Sequence, residues 1–240
     1  MPSNTSPVAL VTGAGSGIGR AIAVQLGGRG YRLLLVGRRT GPLEETGAML
    51  AGERGIAWRT HSADVGDAAA CAGAVDAAVG AFGRLDALVS NAGLAEIHPL
   101  GGHGRDDIRR IFDVNALGPA WLVERAWPVF ERQGGGCVVF VSSVASVDPF
   151  PGLGVYGAAK ASLNTLARAC VNEGARFGLR AFSIAPGAVE TPMLRSMFTP
   201  SDLPARACLT PDQIAGVVVE CITGERDAEN GRTILVPGPA

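Results

Sequence analysis

The sequence predicts an α/β domain: a doubly wound, seven-stranded parallel sheet with helices on both faces. Three observations predict it. Short apolar runs of strand length alternate with longer stretches of helical period from Val8 to Val236. The first run, Val8–Thr12, passes straight into the glycine-rich turn Gly13-Ala-Gly-Ser-Gly-Ile-Gly19 and then into an Ala/Ile/Val/Leu helix. No composition break, internal repeat or low-complexity segment divides the 240 residues, so residues 1–240 read as one domain. Strands joined through helices imply right-handed crossovers, and hence parallel pairing.

Residues 1–7 read as a short, flexible polar tail. Past the first helix, Gly30 leads into the buried strand Arg32–Val36, which is followed by Gly37-Arg38-Arg39. Pro42 marks the first turn of a helix that runs to Ala51. Ile56–Ser62 is a weaker third strand ending in Ala63-Asp64-Val65. Ala68–Ala81 is a helix of small residues that can pack closely on the sheet. Leu85–Ser90 is the fourth strand, with Asn91-Ala92-Gly93 at its C-terminal edge. Helical period then runs from Arg105 to Arg132, with Asn115 in its middle and Pro128 expected to kink or shorten its end. Cys137–Ser142 is the fifth strand and brings Ser142 and Ser143 to the same edge. After the loop Val147–Gly154, a helix carrying Tyr156 runs to about Phe177. Arg180–Ala185 is the sixth strand, ended by Pro186-Gly187. Residues 188–209 form a short loop region in which Met193–Leu209 reads as irregular. Thr210-Pro211 opens the last helix, and Thr233–Val236 is the seventh strand.

Composition narrows the function classes. A net charge of −1 leaves no electrostatic footprint for nucleic acid or an anionic membrane. The N-terminus lacks the succession of a signal peptide, and no apolar run reaches membrane-spanning length. Cys71, Cys137, Cys170, Cys208 and Cys221 are scattered, with no CxxC pair and no histidine pattern beside them. They read as buried free thiols of a cytoplasmic protein, and no metal site is expected.

Chemistry concentrates at three places. Lys160 is the only lysine in the chain and lies four residues after Tyr156, one of its two tyrosines. On a helix that spacing puts both side chains on one face, where an ammonium is expected to lower the phenol pKa and make it a usable acid or base. The glycine turn lets the backbone approach a pyrophosphate at the positive N-terminal end of a helix. Its spacing, through Gly13, Gly17 and Gly19, is GxxxGxG. At the end of the second strand, an acidic residue would select NAD by binding the ribose 2′-hydroxyl. Gly37 stands there instead, leaving room for a 2′-phosphate that Arg38 can pair, with Arg39 in support. NADP(H) is therefore expected in preference to NAD(H).

Taken together, these segments resemble the short-chain dehydrogenase/reductase family over essentially the whole chain. Thr12-Gly-Ala-Gly-Ser-Gly-Ile-Gly19 looks like the family's cofactor turn, which implies contacts from Gly13, Ser16, Gly17, Ile18 and Gly19. Asp64-Val65 looks like its adenine-binding pair, and Asn91-Ala92-Gly93 like its strand-stabilising NAG. Asn115, Ser143, Tyr156 and Lys160 fall in the order and spacing of its catalytic tetrad. Ser143 is taken over Ser142 because it lies thirteen residues before Tyr156. Pro186, Gly187, Val189 and Thr191 look like the segment that holds the nicotinamide carboxamide. The resemblance implies a Rossmann-like fold and hydride transfer between the cofactor and a carbonyl or secondary alcohol. Tyr156 is then the proton donor and Ser143 polarises the substrate oxygen. Lys160 tunes Tyr156 and holds the nicotinamide ribose, and Asn115 anchors a relay water. It also implies a homotetramer or homodimer, for which Trp121, Leu122, Val123 and Trp127 would suit an interface or the core. Ser16 departs from NADP-preferring members, which often carry a basic residue at that position.

The substrate is expected to meet Leu94, Glu96, Asp148, Phe150 and Met193. The leading expectation is an NADP(H)-dependent reductase of a ketoacyl or similar ketone. An NAD-dependent alcohol or sugar dehydrogenase is the alternative within the enzyme class. A non-catalytic dinucleotide sensor is the alternative outside it.

Overall fold

A computed structural model describes residues 6–54 and 56–239. The strands are β1 (Val8–Thr12), β2 (Arg32–Gly37), β3 (Trp58–Ser62), β4 (Ala87–Ser90), β5 (Gly136–Val141), β6 (Leu179–Pro186) and β7 (Thr233–Val236). They form one sheet in the order β3-β2-β1-β4-β5-β6-β7, with every neighbouring pair parallel. The helices are α1 (Gly17–Gly28), α2 (Thr40–Arg54), α3 (Ala68–Phe82), α4 (Arg105–Phe112), α5 (Gly118–Gln133), α6 (Gly154–Gly174), α7 (Pro192–Met197) and α8 (Pro211–Thr223). This is the doubly wound, Rossmann-like α/β fold. The strand order reverses between β1 and β4, so the chain segments leaving these two strands part and open a crevice at that edge.

The apolar strands alternate into two cores. On one face Ala9, Val11, Leu33, Leu35 and Val139 pack against Ile22 and Leu26 of α1, Leu43 of α2, and Ile214 and Val218 of α8. On the other, Val8, Leu10, Leu34, Val138 and Phe140 meet Val75 of α3, Leu122 and Phe130 of α5, and Leu163 of α6. Burial on both faces explains why these strands read as unbroken apolar runs. All five cysteines are free and buried.

Several expectations need correction. The stretch from Arg105 to Arg132 is continuously helical, but it is not uniform, because a π-helical turn at Asp113–Leu117 divides it into α4 and α5. One inserted residue barely disturbs apolar periodicity, so the turn leaves almost no trace in the pattern. Pro128 neither shortens nor ends α5, which runs to Gln133 and stops at Gly134 in the left-handed conformation. Pro128 lies on the exposed side with Glu124, where water can satisfy the carbonyl that its ring leaves unbonded. Within Met193–Leu209, a short helix forms instead of an irregular start. Thr191 caps this helix, α7, by accepting a hydrogen bond from Leu194 N. Of the tail, residues 1–5 lie outside the described residues. Ser6 and Pro7 are tied down, since the Arg32 guanidinium and amide donate to their carbonyls. Leu122 and Val123 belong to the core, with Trp121 and Trp127 packed against it. Among the described residues no helix is long and apolar enough to cross a membrane.

Candidate active site

The glycine turn is built by close contacts. Gly13 and Gly17 take φ of 66° and 51°, a region that side chains rarely occupy. A Cβ at Gly19 would lie 2.3 Å from the Gly13 carbonyl oxygen and 2.5 Å from Asn91 Nδ2, so only hydrogen fits. Ser16 is the N-cap of α1, yet its side chain makes no capping bond. The first amides of α1 thus keep their hydrogen-bonding capacity for an anion. Arg20 braces the turn from behind, donating to the Gly15 carbonyl at 2.6 Å and pairing with Glu45 of α2.

Thr12, at the end of β1, joins the turn to β4. Its fully buried hydroxyl accepts from the amides of Asn91 (2.9 Å) and Ala92 (3.0 Å) and donates to the Val89 carbonyl. Asn91 Nδ2 returns a bond to the Thr12 carbonyl at 2.8 Å. Thr12→Val keeps the shape but leaves two amides without an acceptor. We expect it to lower unfolding free energy by roughly 2–4 kcal/mol, read from urea denaturation; an unchanged midpoint would show that water replaces the hydroxyl. The sequence marks Thr12 as the last residue of a strand and the first of the glycine turn, and carries no signal of its role as a node between β1 and β4.

Asn115 and Lys160 of the proposed tetrad meet at Gly93. A Cβ placed there would come 2.9 Å from Asn115 Oδ1 and 3.3 Å from Lys160 Nζ. Lys160 is buried, donates to the Val141 carbonyl at 2.8 Å, and holds its Nζ 5.9 Å from the centre of the Tyr156 ring. Tyr156 is half-buried next to Ser143, whose hydroxyl accepts from Ala145 N at 3.2 Å. Ser142 donates instead to the main-chain carbonyl of Lys160 at 3.0 Å, which fixes α6 against the end of β5. The two serines thus have different partners, Ser142 on α6 and Ser143 the amide of Ala145.

The electrostatics correct one expectation. Burial pushes the Tyr156 phenol up to about 12 rather than down, and the neighbouring Ser143 hydroxyl opposes that rise. The Lys160 ammonium donates to the Val141 carbonyl rather than to the phenol oxygen, with its Nζ 5.9 Å from the ring centre. Burial brings Lys160 itself down to about 8. Asn115 sits in the π turn and is fully buried. It donates to the carbonyls of Leu94 (2.7 Å) and Ile111 (2.9 Å), and its Oδ1 accepts from Leu94 N. Both amide protons are thus committed to the main chain, and a relay water is left the Oδ1 lone pairs.

The cofactor-side residues converge on the same edge. Ala14 N donates to the Val36 carbonyl, which sets the turn beside the end of β2 and the exposed Arg38 and Arg39. Neither arginine makes an ion pair among the described residues. Asp64 is exposed and accepts from Gly66 N at 3.0 Å, while Val65 beside it is buried. Pro186 ends β6, and Gly187 donates to the Val236 carbonyl. Val189 pairs with Leu209. The Thr191 methyl lies 3.1 Å from where a Gly17 Cβ would be, so Thr191 meets the glycine turn directly. Ile18 is partly buried against the core beneath.

The expected substrate contacts are less uniform. Leu94 is held by Asn115 and packs on a small cluster of Ile111, Val155 and Ala159. Glu96 is paired with Arg110 at 2.7 Å, which draws it into an ion pair on the surface. Asp148, Phe150 and Met193 are exposed.

Comparison with known proteins agrees with this geometry. The family model of the short chain dehydrogenases matches residues 7–202. An uncharacterized oxidoreductase of Staphylococcus epidermidis is 32% identical over 216 residues, covering 90% of each chain. The structure of a levodione reductase superposes with a TM-score of 0.89 at 30% identity, over 96% of this chain and 95% of that one. A 3-ketoacyl-(acyl-carrier-protein) reductase of Brucella melitensis, complexed with NADH, gives 0.89 at 27% identity over 98% of both chains. Sharing this sequence pattern and this fold over nearly its whole length, the chain belongs to the short-chain dehydrogenase family of oxidoreductases.

Proposed function

We propose that this oxidoreductase reduces a ketone, of the ketoacyl or a similar class, using NADP(H). The observation that carries the reading is the placement of Tyr156 next to Ser143, with Lys160 buried and its Nζ 5.9 Å from the centre of the Tyr156 ring. A binding module needs the turn but has no use for this second cluster. The turn itself fits a dinucleotide: the clash a Cβ would make at Gly19, and the uncapped start of α1, leave backbone rather than side chain facing an anion.

The nicotinamide, when bound, supplies the hydride. The chain's own residues handle the substrate oxygen. Ser143 donates to the carbonyl oxygen and stabilises charge as it develops there. Tyr156, protonated throughout the neutral range, gives its proton to the nascent alkoxide as general acid. Lys160, brought to about 8, is the group placed to replace that proton, with Asn115 holding the route to solvent through Oδ1. In the oxidative direction Tyr156, deprotonated, is the base instead.

Arg38, with Arg39, is the proposed 2′-phosphate grip. The test is oxidation of NADPH against NADH over β-ketoacyl thioesters, diketones and simple ketones, in the native enzyme and in Arg38→Ala and Arg39→Ala. NADPH should lead, and Arg38→Ala should reduce its advantage by roughly 10- to 100-fold, the worth of a charge-assisted pair. NADH leading, with Arg38→Ala without effect, would favour the NAD-dependent dehydrogenase reading that the non-basic Ser16 keeps open. The homotetramer or homodimer implied by the family remains part of this proposal.

A further inference from the structure

The segment between Pro186 and Thr210 closes on itself. Leu209 N donates to the Ala188 carbonyl at 2.8 Å, and Glu190 N donates to the Leu209 carbonyl at 2.9 Å. Inside this closed loop one side chain makes more hydrogen bonds than any other. Arg195, on α7, donates through Nε to Glu190 Oε1 at 2.6 Å and through Nη2 to Glu190 Oε2. Its Nη1 reaches the carbonyls of Leu203 (2.8 Å) and Phe198 (3.3 Å), and Nη2 also reaches Cys208 Sγ at 3.9 Å. One guanidinium therefore ties the entry of the loop, its middle and its exit. Its side chain keeps only 21% of its surface, against 48% for Arg125 in the surface pair with Asp76.

Glu190 precedes Thr191, and Thr191 is where the loop touches the glycine turn. Its hydroxyl accepts from Leu194 N and donates to the Val189 carbonyl, and its methyl packs over Gly17. Anything that fixes Glu190 thus fixes the side chain facing the turn. We propose that Arg195 is a positioning residue: clamped to Glu190, it sets the loop so that Thr191 holds the nicotinamide half of the cofactor site. This rests on the dinucleotide reading above and extends it to a residue outside the tetrad and the cofactor turn. The planar fork of arginine reaches several acceptors at fixed angles, which a lysine ammonium cannot reproduce.

The test separates the two halves of the cofactor. NADPH binding is titrated by its fluorescence, and 2′-phospho-ADP-ribose, which lacks the nicotinamide, is measured by competition. The proteins compared are the native chain, Arg195→Ala, Arg195→Lys and Glu190→Gln. If NADH proves the tighter ligand, the same titration uses NADH and ADP-ribose. Arg195→Ala and Glu190→Gln should each weaken the dinucleotide on the order of tenfold, with Arg195→Lys between them and the native chain. The nicotinamide-free probe should stay within about twofold in all four. Unchanged dinucleotide affinity in Arg195→Ala would overturn the proposal. So would equal weakening of both ligands, which would mark general damage to the fold. A native protein that binds neither dinucleotide would defeat the cofactor reading itself, a result distinct from either.

Discussion

Tyr156→Phe should lower kcat by about 10²- to 10⁴-fold, the usual contribution of a positioned general acid, while cofactor affinity stays within about twofold. The change removes one oxygen and leaves the ring, so the contact of the ring with Lys160 and the packing of α6 are retained. What disappears is the acidic hydroxyl next to Ser143 at this edge. Loss of turnover with intact binding is the signature of an interaction made in the transition state rather than in the ground state. Steady-state rates and cofactor titration on one preparation check it. Retained turnover would remove Tyr156 from the chemistry and with it the proposed mechanism.

Lys160→Met should abolish turnover as well, yet make the protein more stable at pH 7. Burial lowers the Lys160 ammonium from 10.5 to about 8, so below pH 8 the folded chain carries a charge it would rather shed. That shift corresponds to roughly 3 kcal/mol of destabilisation. Methionine fills similar volume without charge and forfeits one bond with a charged donor, to the Val141 carbonyl, worth about 1.5–3 kcal/mol. The variant should therefore exceed the native protein by up to about 1.5 kcal/mol at neutral pH.

The sign of the pH dependence follows. Between about 8 and 10.5 the unfolded chain binds more protons at this site than the folded one, so the native protein's handicap fades as pH rises through that window. The gap between variant and native should close toward pH 10. Using the difference matters, because burial raises the thiols of Cys71, Cys137, Cys170 and Cys221, whose ionisation destabilises both proteins alike above pH 9. Urea unfolding at pH 7 and pH 10 measures it. A variant less stable at pH 7 would mean that the ammonium finds more compensation in the fold than its one bond to Val141.

Some of this protein was legible from local sequence because local chemistry leaves a pattern. Val8–Thr12 followed by Gly13 through Gly19 specifies strand, turn and helix by apolar period and by the glycines that a positive φ requires. The four-residue step from Tyr156 to Lys160 specifies a shared helix face. The seven parallel strands and the family resemblance follow from many such segments in register. Asn115 is legible as a residue, but the π turn that buries it is not, since one extra residue hardly alters a helical period.

Tertiary structure decided the quantities that depend on distance between segments far apart in the chain. Lys160 was expected to act on Tyr156 through their spacing. Its ammonium answers instead to Val141, nineteen positions away on β5, and the phenol answers to Ser143. Thr12 becomes a buried junction only when β4 lies beside β1. Arg195 becomes a clamp only when residues 190, 198, 203 and 208 close around it. Sequence alone determined which chemical groups this chain carries and the elements that hold them. Packing decided which groups touch and how dry they are, because hydrogen-bond partners and burial are set by distances that no local period encodes.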